Sequence, residues 1–214
     1  MPSATLLCRA LAGVHPSVTS VAEFQSLSAI ASKTVAREIL EFLVGQGIGS
    51  HSSGQISFSD SDRMRLAIEC IRKGCDVEEI SALLTWKDFE QLASEILRAS
   101  GYLTATNVRF TKPRMEIDVV GTMSSLAIAV DCKHWRSYSR SSISGFAEKQ
   151  TARAARLFEK SGGKISRAVP LILTLHDGSF DFVGHVPVVP VTQFRSFISD
   201  VELYLPEILV IKNR

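Results

Sequence analysis

Two apolar segments, separated by a short polar stretch, constrain the fold of this chain more than any other feature. They cover residues 115–121 and 126–133, and both are rich in Val and Ile. β-Branched residues favour strands and short polar stretches favour turns, so the pattern predicts a β-hairpin. Each segment also carries an aspartate within its apolar run, Asp118 in the first and Asp131 in the second.

The register of this hairpin follows from the position of its turn. A turn centred directly after Ser124 places Asp118 opposite Asp131 and Glu116 opposite Lys133. Like charges directly opposite each other destabilise a sheet by up to about 1 kcal/mol, so two facing aspartates indicate a ligand that compensates them. Strand side chains alternate between the two faces, so we expect Lys133 on the same face as Asp131.

A divalent cation is the ligand that these side chains favour. Mg²⁺ prefers carboxylate oxygens and typically binds one or two protein carboxylates together with a substrate phosphate. A lysine beside the ion can stabilise negative charge on the phosphate or orient the attacking water. Asp118, Asp131 and Lys133 therefore predict a magnesium-dependent phosphodiesterase centre. The alternative is a solvated sheet face on which the charges fall at random.

A third acidic residue lies on a predicted helix. The apolar residues at positions 89, 92, 93, 96 and 97 form one stripe at helical spacing. At about 100° per residue, Glu90 falls at the edge of this stripe beside Leu97, and Glu95 falls on the opposite side. We therefore expect Glu90 to face the sheet. The alternative is an acid in the first turn that only complements the helix dipole.

These motifs occur in a defined order along the chain. They are Trp86-x-x-Phe89-Glu90-x-Leu92-x-x-x-Ile96-Leu97-x-x-x-Gly101-Tyr102, then Glu116-Ile117-Asp118-Val119-Val120-Gly121, then Val130-Asp131-Cys132-Lys133. In this order they resemble the PD-(D/E)xK nuclease superfamily over residues 86–200. The layout is similar to that of archaeal Holliday-junction resolvases and Mrr-type restriction endonucleases. The chain departs from the family pattern at Ile117, where proline is usual, and at Asp131, where glutamate is commoner.

The resemblance implies a site and a reaction. It implies that Glu90, Asp118 and Asp131 bind Mg²⁺ or Mn²⁺ and that Lys133 completes the catalytic set. The implied reaction is hydrolysis of phosphodiester bonds in DNA, with branched or junction DNA among the candidate substrates and RNA still open. Many relatives form homodimers. The competing hypothesis is a nuclease fold that no longer cuts and acts as a DNA-binding regulator or scaffold.

The remaining C-terminal pattern agrees with a restriction-endonuclease-like fold. It predicts a helix over residues 143–160 and buried strands over 168–175 and 182–191, followed by an amphipathic segment over 192–204. Together with the hairpin, these elements predict an α/β/α sandwich with a mixed central sheet.

Basic residues are concentrated after the second aspartate. Between residues 133 and 167 there are nine basic and two acidic side chains, a net charge of +7, although the whole chain carries only +2. Such a stretch favours a polyanion, and Trp135 and Tyr138 within it are suited to packing on sugars or bases. The alternative for the basic stretch is a solvated helix face with the two aromatic residues in the core. The alternative for Gln150 is a polar residue at the edge of its helix. The candidate nucleic-acid-binding residues are Arg136, Arg140, Lys149, Gln150 and Arg153.

The N-terminal third predicts three helices followed by a hairpin. The helices cover residues 4–11 and 21–30 and a third segment that begins after Ser32, and the hairpin covers residues 50–58. This order resembles a winged helix, in which Lys33, Thr34 and Arg37 would begin the DNA-recognition helix. The apolar side of that helix is predicted at Val35, Ile39, Phe42 and Leu43. Winged helices also mediate protein contacts, and that alternative stays open.

We therefore expect a small, mostly helical winged-helix-like domain over residues 1–58, a helical linker over 59–85 and a nuclease-like domain over 86–214. The linker contains helical patterns at 60–73 and 77–84. Four cysteines without a CxxC pair or a zinc pattern predict reduced thiols and a cytoplasmic protein. No apolar run approaches the roughly 20 residues that cross a bilayer, so no membrane span is expected.

Overall fold

The computed structural model describes residues 2–76, 79–80, 83–133, 140–175 and 181–213, and of residues 140–142 it describes the backbone. The chain forms two compact units, Met1–Leu92 and Ala93–Arg214. Their division falls inside a helix, whereas the domain boundaries expected from the sequence lie at residues 58 and 85. Those boundaries stay predictions.

The first unit consists of short helices and a small antiparallel sheet. The third strand lies between the other two, in the order β1-β3-β2. The helices predicted over residues 4–11, 21–30 and 60–73 and after Ser32 are present, as is the predicted hairpin, whereas the first strand, of two residues, is too short to be recognised from periodicity. The helix predicted over residues 77–84 falls partly outside the described residues. The described elements are α1 (Ala4–Leu11), β1 (Val18–Thr19), α2 (Val21–Ser28), α3 (Lys33–Gly45), β2 (Ser50–Ser52), β3 (Gln55–Ser57) and α4 (Asp62–Arg72).

Helix α3 begins as its sequence predicts. The Ser32 hydroxyl accepts a hydrogen bond from the backbone N–H of Val35 at 3.4 Å, which satisfies one free donor of the first turn. The predicted apolar side is shifted by about one residue, because Val35 and Phe42 are only half-buried. The residues buried along this helix are Ala36, Ile39, Leu40 and Leu43.

The second unit is built around a mixed sheet. Within the described residues its strands follow the order β4-β5-β6-β7-β9-β8, and β10 pairs with β7. Strands β6, β7 and β9 are parallel, and the other pairs are antiparallel. The elements are α5 (Trp86–Ala99), β4 (Leu103–Thr111), β5 (Arg114–Met123), β6 (Leu126–Lys133), α6 (Arg140–Lys160), β7 (Arg167–Thr174), β8 (Asp181–Val183), β9 (Val186–Pro190), α7 (Val191–Ser199), α8 (Val201–Tyr204) and β10 (Ile211–Lys212).

Helices cover both faces of this sheet. Ala129 of β6 packs in one core cluster with Ala154 of α6. Gly121 of β5 lies beside Leu97 of α5, whose Cδ2 atom is 3.0 Å from the position a Cβ would take. Gly121 pairs with Ile128, the neighbour of Ala129, and adjacent strand residues point to opposite faces. α5 and α6 therefore lie on opposite faces, which gives the predicted α/β/α arrangement.

The predicted hairpin register is confirmed close to the turn. The β5–β6 ladder pairs five residues of each strand, from Val119 with Val130 to Met123 with Leu126. The chain reverses at Ser124, which adopts a left-handed φ of 52°. Serine is not a favoured residue for this conformation, so the strands on either side, rather than the turn, determine the register.

The predicted single strand over residues 182–191 is wrong. Its residues form the antiparallel pair β8 and β9, and Gly184 and His185 turn between them with φ values of 56° and 64°. The apolar pattern continues across this tight turn and concealed it from the periodicity. The amphipathic segment that follows is divided into α7 and α8, and strands β4 and β10 were not predicted at all.

Two general features of the chain complete the description. All four cysteines are free thiols, and burial raises the pKa of Cys8, Cys70 and Cys75 above its ordinary value. These thiols therefore remain protonated and weakly nucleophilic at neutral pH. Among the described helices, none combines the length and the apolar composition needed to span a bilayer.

The close approach of α5 to β5 predicts opposite effects for two glycine substitutions. A Cβ at residue 121 would meet Leu97 at 3.0 Å and Tyr102 at 3.3 Å, so Gly121→Ala should lower the free energy of unfolding by about 1 to 2 kcal/mol. Nothing lies within 4 Å of a Cβ at Gly145 in α6, so Gly145→Ala should raise it by about 0.5 to 1 kcal/mol. Urea unfolding followed by circular dichroism measures both. Equal effects would contradict the packing of α5 against β5.

Candidate active site

Asp131 is a buried carboxylate held between two cations. Its side chain is 2% exposed, and it lies near the end of strand β6. Lys133 Nζ is 2.9 Å from its Oδ2 atom, and Arg153 Nη1 donates a hydrogen bond of 2.9 Å to its Oδ1 atom. A carboxylate buried to this degree requires opposite charge nearby, because removing its charge from water otherwise costs on the order of several kcal/mol. Lys133 and Arg153 supply this charge.

Asp118 reaches the same strand from its neighbour. Its Oδ2 atom accepts a hydrogen bond of 2.7 Å from the backbone N–H of Cys132, the residue that follows Asp131. The backbone ladder between β5 and β6 ends one pair earlier, at Val119 and Val130. The Asp118 side chain thus replaces a backbone acceptor at this position and brings its carboxylate to the residues around Asp131.

Part of the predicted facing pattern is wrong. Asp118 and Asp131 do not pair in the backbone ladder, and Glu116 does not pair with Lys133. Glu116 pairs instead with Arg109 of β4, whose Nε lies 3.2 Å from a carboxylate oxygen. The prediction extended the register beyond Val119 and Val130, the last pair of the β5–β6 ladder, whereas β5 continues to pair with β4 along its other edge as far as Arg114.

The strand geometry changes at Asp118. Ile117 and Val120 belong to the same core cluster as Ala154, although residues three apart in a regular strand point to opposite faces. Asn107 of β4 lies opposite the position of Asp118 in β5. It has a left-handed φ of 53°. The side-chain alternation of the sheet therefore shifts at this position, where the candidate metal ligand lies.

Gln150 joins helix α6 to the site. It is fully buried, and its Nε2 atom donates a hydrogen bond of 2.8 Å to the backbone carbonyl of Ala129. Its Oε1 atom accepts a hydrogen bond of 3.3 Å from Arg153 Nη1, the atom that also contacts Asp131. Gln150 thus holds Arg153 in place. It lies inside the core rather than at a helix edge, and no surface for nucleic acid is available to it.

The ammonium of Lys133 is oriented by a second contact. It lies 5.0 Å from the centre of the Phe146 ring, and Lys149 Nζ lies 5.7 Å from the same centre. Lys133 is 14% exposed, so its charge is partly shielded from water. A cation over an aromatic face gains about 0.5 to 2 kcal/mol, more when desolvated. Phe146 thus helps to keep Lys133 beside Asp131.

Glu90 lies in the first turn of α5 and is buried, with 8% of its surface exposed. The start of this helix is already satisfied by other residues. Asp88 Oδ2 accepts the N–H of Thr85 at 2.8 Å, and the Thr85 hydroxyl accepts the N–H of Asp88 at 3.2 Å, which is a reciprocal cap. A role restricted to complementing the helix dipole does not account for a second, buried acid at Glu90.

The other predicted residues fall in different places. Lys149 is exposed on α6, and Arg140 begins that helix, although its side chain is outside the description. Arg136, Trp135 and Tyr138 lie outside the described residues. Lys33, Thr34 and Arg37 of α3 are exposed, and so are Glu38 and Glu41 of the same helix.

The donor set around Asp131 fits a divalent cation of the magnesium type. Asp131 Oδ2 is buried and accepts no hydrogen bond from the described residues, although Lys133 lies 2.9 Å from it. Asp118 offers a second carboxylate on the adjacent strand. Within the described residues of either unit, no three His, Cys, Asp or Glu side chains group closely enough to form a metal cage. Mg²⁺ does not require one, since it binds through one or two carboxylates and keeps several waters.

A cleft lies next to this site, and the sequence did not predict it. It has a volume of about 490 Å³ and lies between the β4–β5 hairpin and α6. The sequence pointed to the basic stretch after residue 133, and so it did not indicate the two arginines that the hairpin contributes. The lining residues are Arg109, Arg114, Met115, Glu116, Lys149, Ala152 and Arg153.

Comparison with known proteins agrees with this description. Residues 81–157 match the model of a protein family described as Restriction endonuclease. An uncharacterized protein of Archaeoglobus fulgidus is 28% identical over 128 residues, which are 58% of this chain and 97% of that protein. The crystal structure of protein VC1899 from Vibrio cholerae covers 84% of this chain and 44% of its own, with 11% identity and a TM-score of 0.31, which is too low to support an argument.

The mixed sheet, the helices on both of its faces and the family match define a class of protein. The match over residues 81–157 supports a restriction-endonuclease-like domain of the PD-(D/E)xK superfamily in this part of the chain. This match supports a nuclease function, with DNA as the substrate that such a domain implies.

The buried hydrogen bonds of Gln150 predict a loss of stability in Gln150→Leu. Leucine is similar in size but leaves the Ala129 carbonyl and the Arg153 guanidinium without their partner, so the free energy of unfolding should fall by about 1 to 3 kcal/mol. The exposed Glu148 of the same helix provides the control, and Glu148→Leu should change it by less than about 0.5 kcal/mol. Urea unfolding measures both. A Gln150→Leu protein as stable as wild type would show that the network contributes nothing.

Proposed function

We propose that this protein is a divalent-metal-dependent DNA endonuclease whose centre is formed by Asp118, Asp131 and Lys133. One observation carries the proposal: Asp118 accepts a hydrogen bond from the backbone N–H of the residue after Asp131, which brings its carboxylate to the part of β6 that holds Asp131 and the shielded Lys133. The family match over residues 81–157 supports the same class of reaction.

Asp118 and Asp131 would hold Mg²⁺ or Mn²⁺, which supplies an activated water and neutralises charge on the phosphate. Lys133 reaches the same carboxylate and would supply the positive charge that stabilises charge developing on the phosphate. Arg153 neutralises Asp131 from its other side and keeps the carboxylate oriented in the metal-free protein.

Glu90 is the proposed third acid of this centre. Its support is its burial, its position in the first turn of α5 and the fact that Thr85 and Asp88 already cap that helix. Glutamates are seldom buried unless they are paired, and buried acids are concentrated at functional sites. Glu90 would assist the metal through a bound water.

We propose that the first unit guides the protein to DNA as a winged-helix-like module. Its support is the succession of α1, β1, α2, α3 and the β2–β3 hairpin, together with the exposed Lys33, Thr34 and Arg37 at the start of α3. Branched DNA is the substrate that belongs to the same proposal. The proposal also includes a homodimer that cuts both strands, because two cuts need two active sites.

Substitution of the proposed centre should abolish cleavage. Asp118→Asn, Asp131→Asn and Lys133→Met should each reduce cleavage of DNA by at least about a hundredfold, because each removes a charge that acts on the metal or the phosphate. Linear, flapped, single-stranded and four-way-junction DNA, and a matching RNA, are incubated with Mg²⁺ or Mn²⁺, and products are separated on denaturing gels.

Glu159→Gln is the control for this panel, since Glu159 is an exposed acid of α6 that pairs only with Arg156 among the described residues. It should cut like wild type. Thermal unfolding confirms that each variant is folded. Cleavage that survives Asp118→Asn or Lys133→Met would sink the assignment.

The two cations on Asp131 favour a second candidate, a nuclease fold that binds DNA without cutting it. In that case Lys133 and Arg153 satisfy the buried carboxylate permanently and no ion is needed. Metal binding separates the two functions. An active centre should bind Mn²⁺ in the low millimolar range by calorimetry, and Asp118→Asn should remove this binding. Absence of metal binding to the wild-type protein would favour the inert fold.

A further inference from the structure

The cleft between the β4–β5 hairpin and α6 is strongly cationic. Of its seven lining residues, four are basic and one is acidic. The acid, Glu116, is compensated by Arg109, and Arg153 is engaged by Asp131. Among the described residues, Arg114 and Lys149 have no carboxylate partner. The cleft therefore carries an excess of positive charge that the protein itself does not neutralise.

The ion pair within the cleft does not remove this excess. Arg109 is 71% exposed and Glu116 is 42% exposed, and ion pairs that are this exposed to water are weak. An incoming anion can therefore compete for Arg109. Three of the four cations, Arg109, Arg114 and Lys149, remain available to one ligand.

The composition of the cleft indicates which anion it takes. Among the described residues, its apolar lining side chains are Met115 and Ala152, and none of the lining side chains is aromatic. Pockets for nucleotides or other small molecules are mostly apolar and often aromatic, which provides a surface for a base. A site made of arginines and a lysine without such a surface contacts phosphate and carries no sequence information.

Arg153 connects the cleft to the candidate active site. Its side chain lines the cleft, and its Nη1 atom donates to Asp131 Oδ1 at 2.9 Å. The cleft therefore begins one arginine side chain away from the carboxylate proposed to hold the metal. Successive phosphates of one DNA strand are about 3.4 Å apart along the helix axis. A phosphate bound in the cleft would therefore belong to a nucleotide close to the scissile phosphate along that strand.

We propose that this cleft binds a backbone phosphate of the DNA strand within about two nucleotides of the scissile phosphate, through Arg109, Arg114 and Lys149. The inference rests on the proposed nuclease function and deepens it. It adds two residues of the β4–β5 hairpin to the DNA-binding surface and makes the contact independent of base sequence.

The test measures DNA binding apart from cleavage. The Asp118→Asn protein, kept in EDTA, is titrated into fluorescein-labelled duplex and four-way-junction DNA at several salt concentrations. Arg114→Ala and Lys149→Ala are combined in one variant. Lys160→Ala and Lys164→Ala are combined in a control of equal charge, because both lysines are exposed and lie outside the cleft.

The cleft variant should bind DNA about tenfold more weakly or worse near 100 mM salt, and its slope of log Kd against log salt should fall by about 1 to 2. The control should change affinity by less than about threefold. Neutral methylphosphonates within about two nucleotides of the mapped cut should weaken binding of the parent protein but not of the cleft variant.

The outcomes separate this inference from the proposed function. If the wild-type protein cuts DNA and the cleft variant binds like the control, only the cleft assignment is overturned. If the wild-type protein neither binds nor cuts DNA, the proposed function falls, and the cleft assignment with it. Binding of inorganic phosphate to the parent protein that is lost in the cleft variant, while both proteins bind DNA equally well, would assign the cleft to a free anion and overturn the DNA contact.

Discussion

The buried negative charge of Asp131 is the constraint on which the second unit depends. A carboxylate that is 2% exposed must be met by opposite charge or by a metal, and here Lys133 and Arg153 meet it from two sides. Arg153 comes from α6, and its position is held by Gln150, which is itself hydrogen-bonded to the backbone of β6. The helix, the central strand and the charged site thus form one connected arrangement.

This arrangement connects stability to function. In the proposed function, the two side chains that neutralise Asp131 would also act on the phosphate: Lys133 from the shielded side and Arg153 from the cleft. A buried ion pair of this kind contributes little net stability, since desolvation offsets most of the attraction. Its presence is therefore better explained by a site prepared for charge than by folding alone.

Most of the elements were predictable because they depend on local patterns. Helical spacing located α4, α5 and α6, and the β-branched runs located β5, β6 and β7. The hairpin register near Ser124 was also predictable, since one turn and the period of two determine it. The misses lack a clear local pattern. β1 and β10 have two residues each and show no period, and β4 is a mostly exposed edge strand without an apolar run. The turn at Gly184 and His185 interrupts an apolar run that is continuous in the sequence.

Sequence alone indicated the candidate site residues and determined that Asp131 and Lys133 share a face, because residues two positions apart in a strand lie on one face whatever surrounds them. It could not determine their partners. Asp118 accepts a hydrogen bond from the N–H of Cys132, and Glu116 forms an ion pair with Arg109. Arg153 of α6 donates a hydrogen bond to Asp131. These contacts join segments distant in the chain, and only the packing of helix on sheet brings such segments within the few ångströms over which hydrogen bonds and ion pairs act.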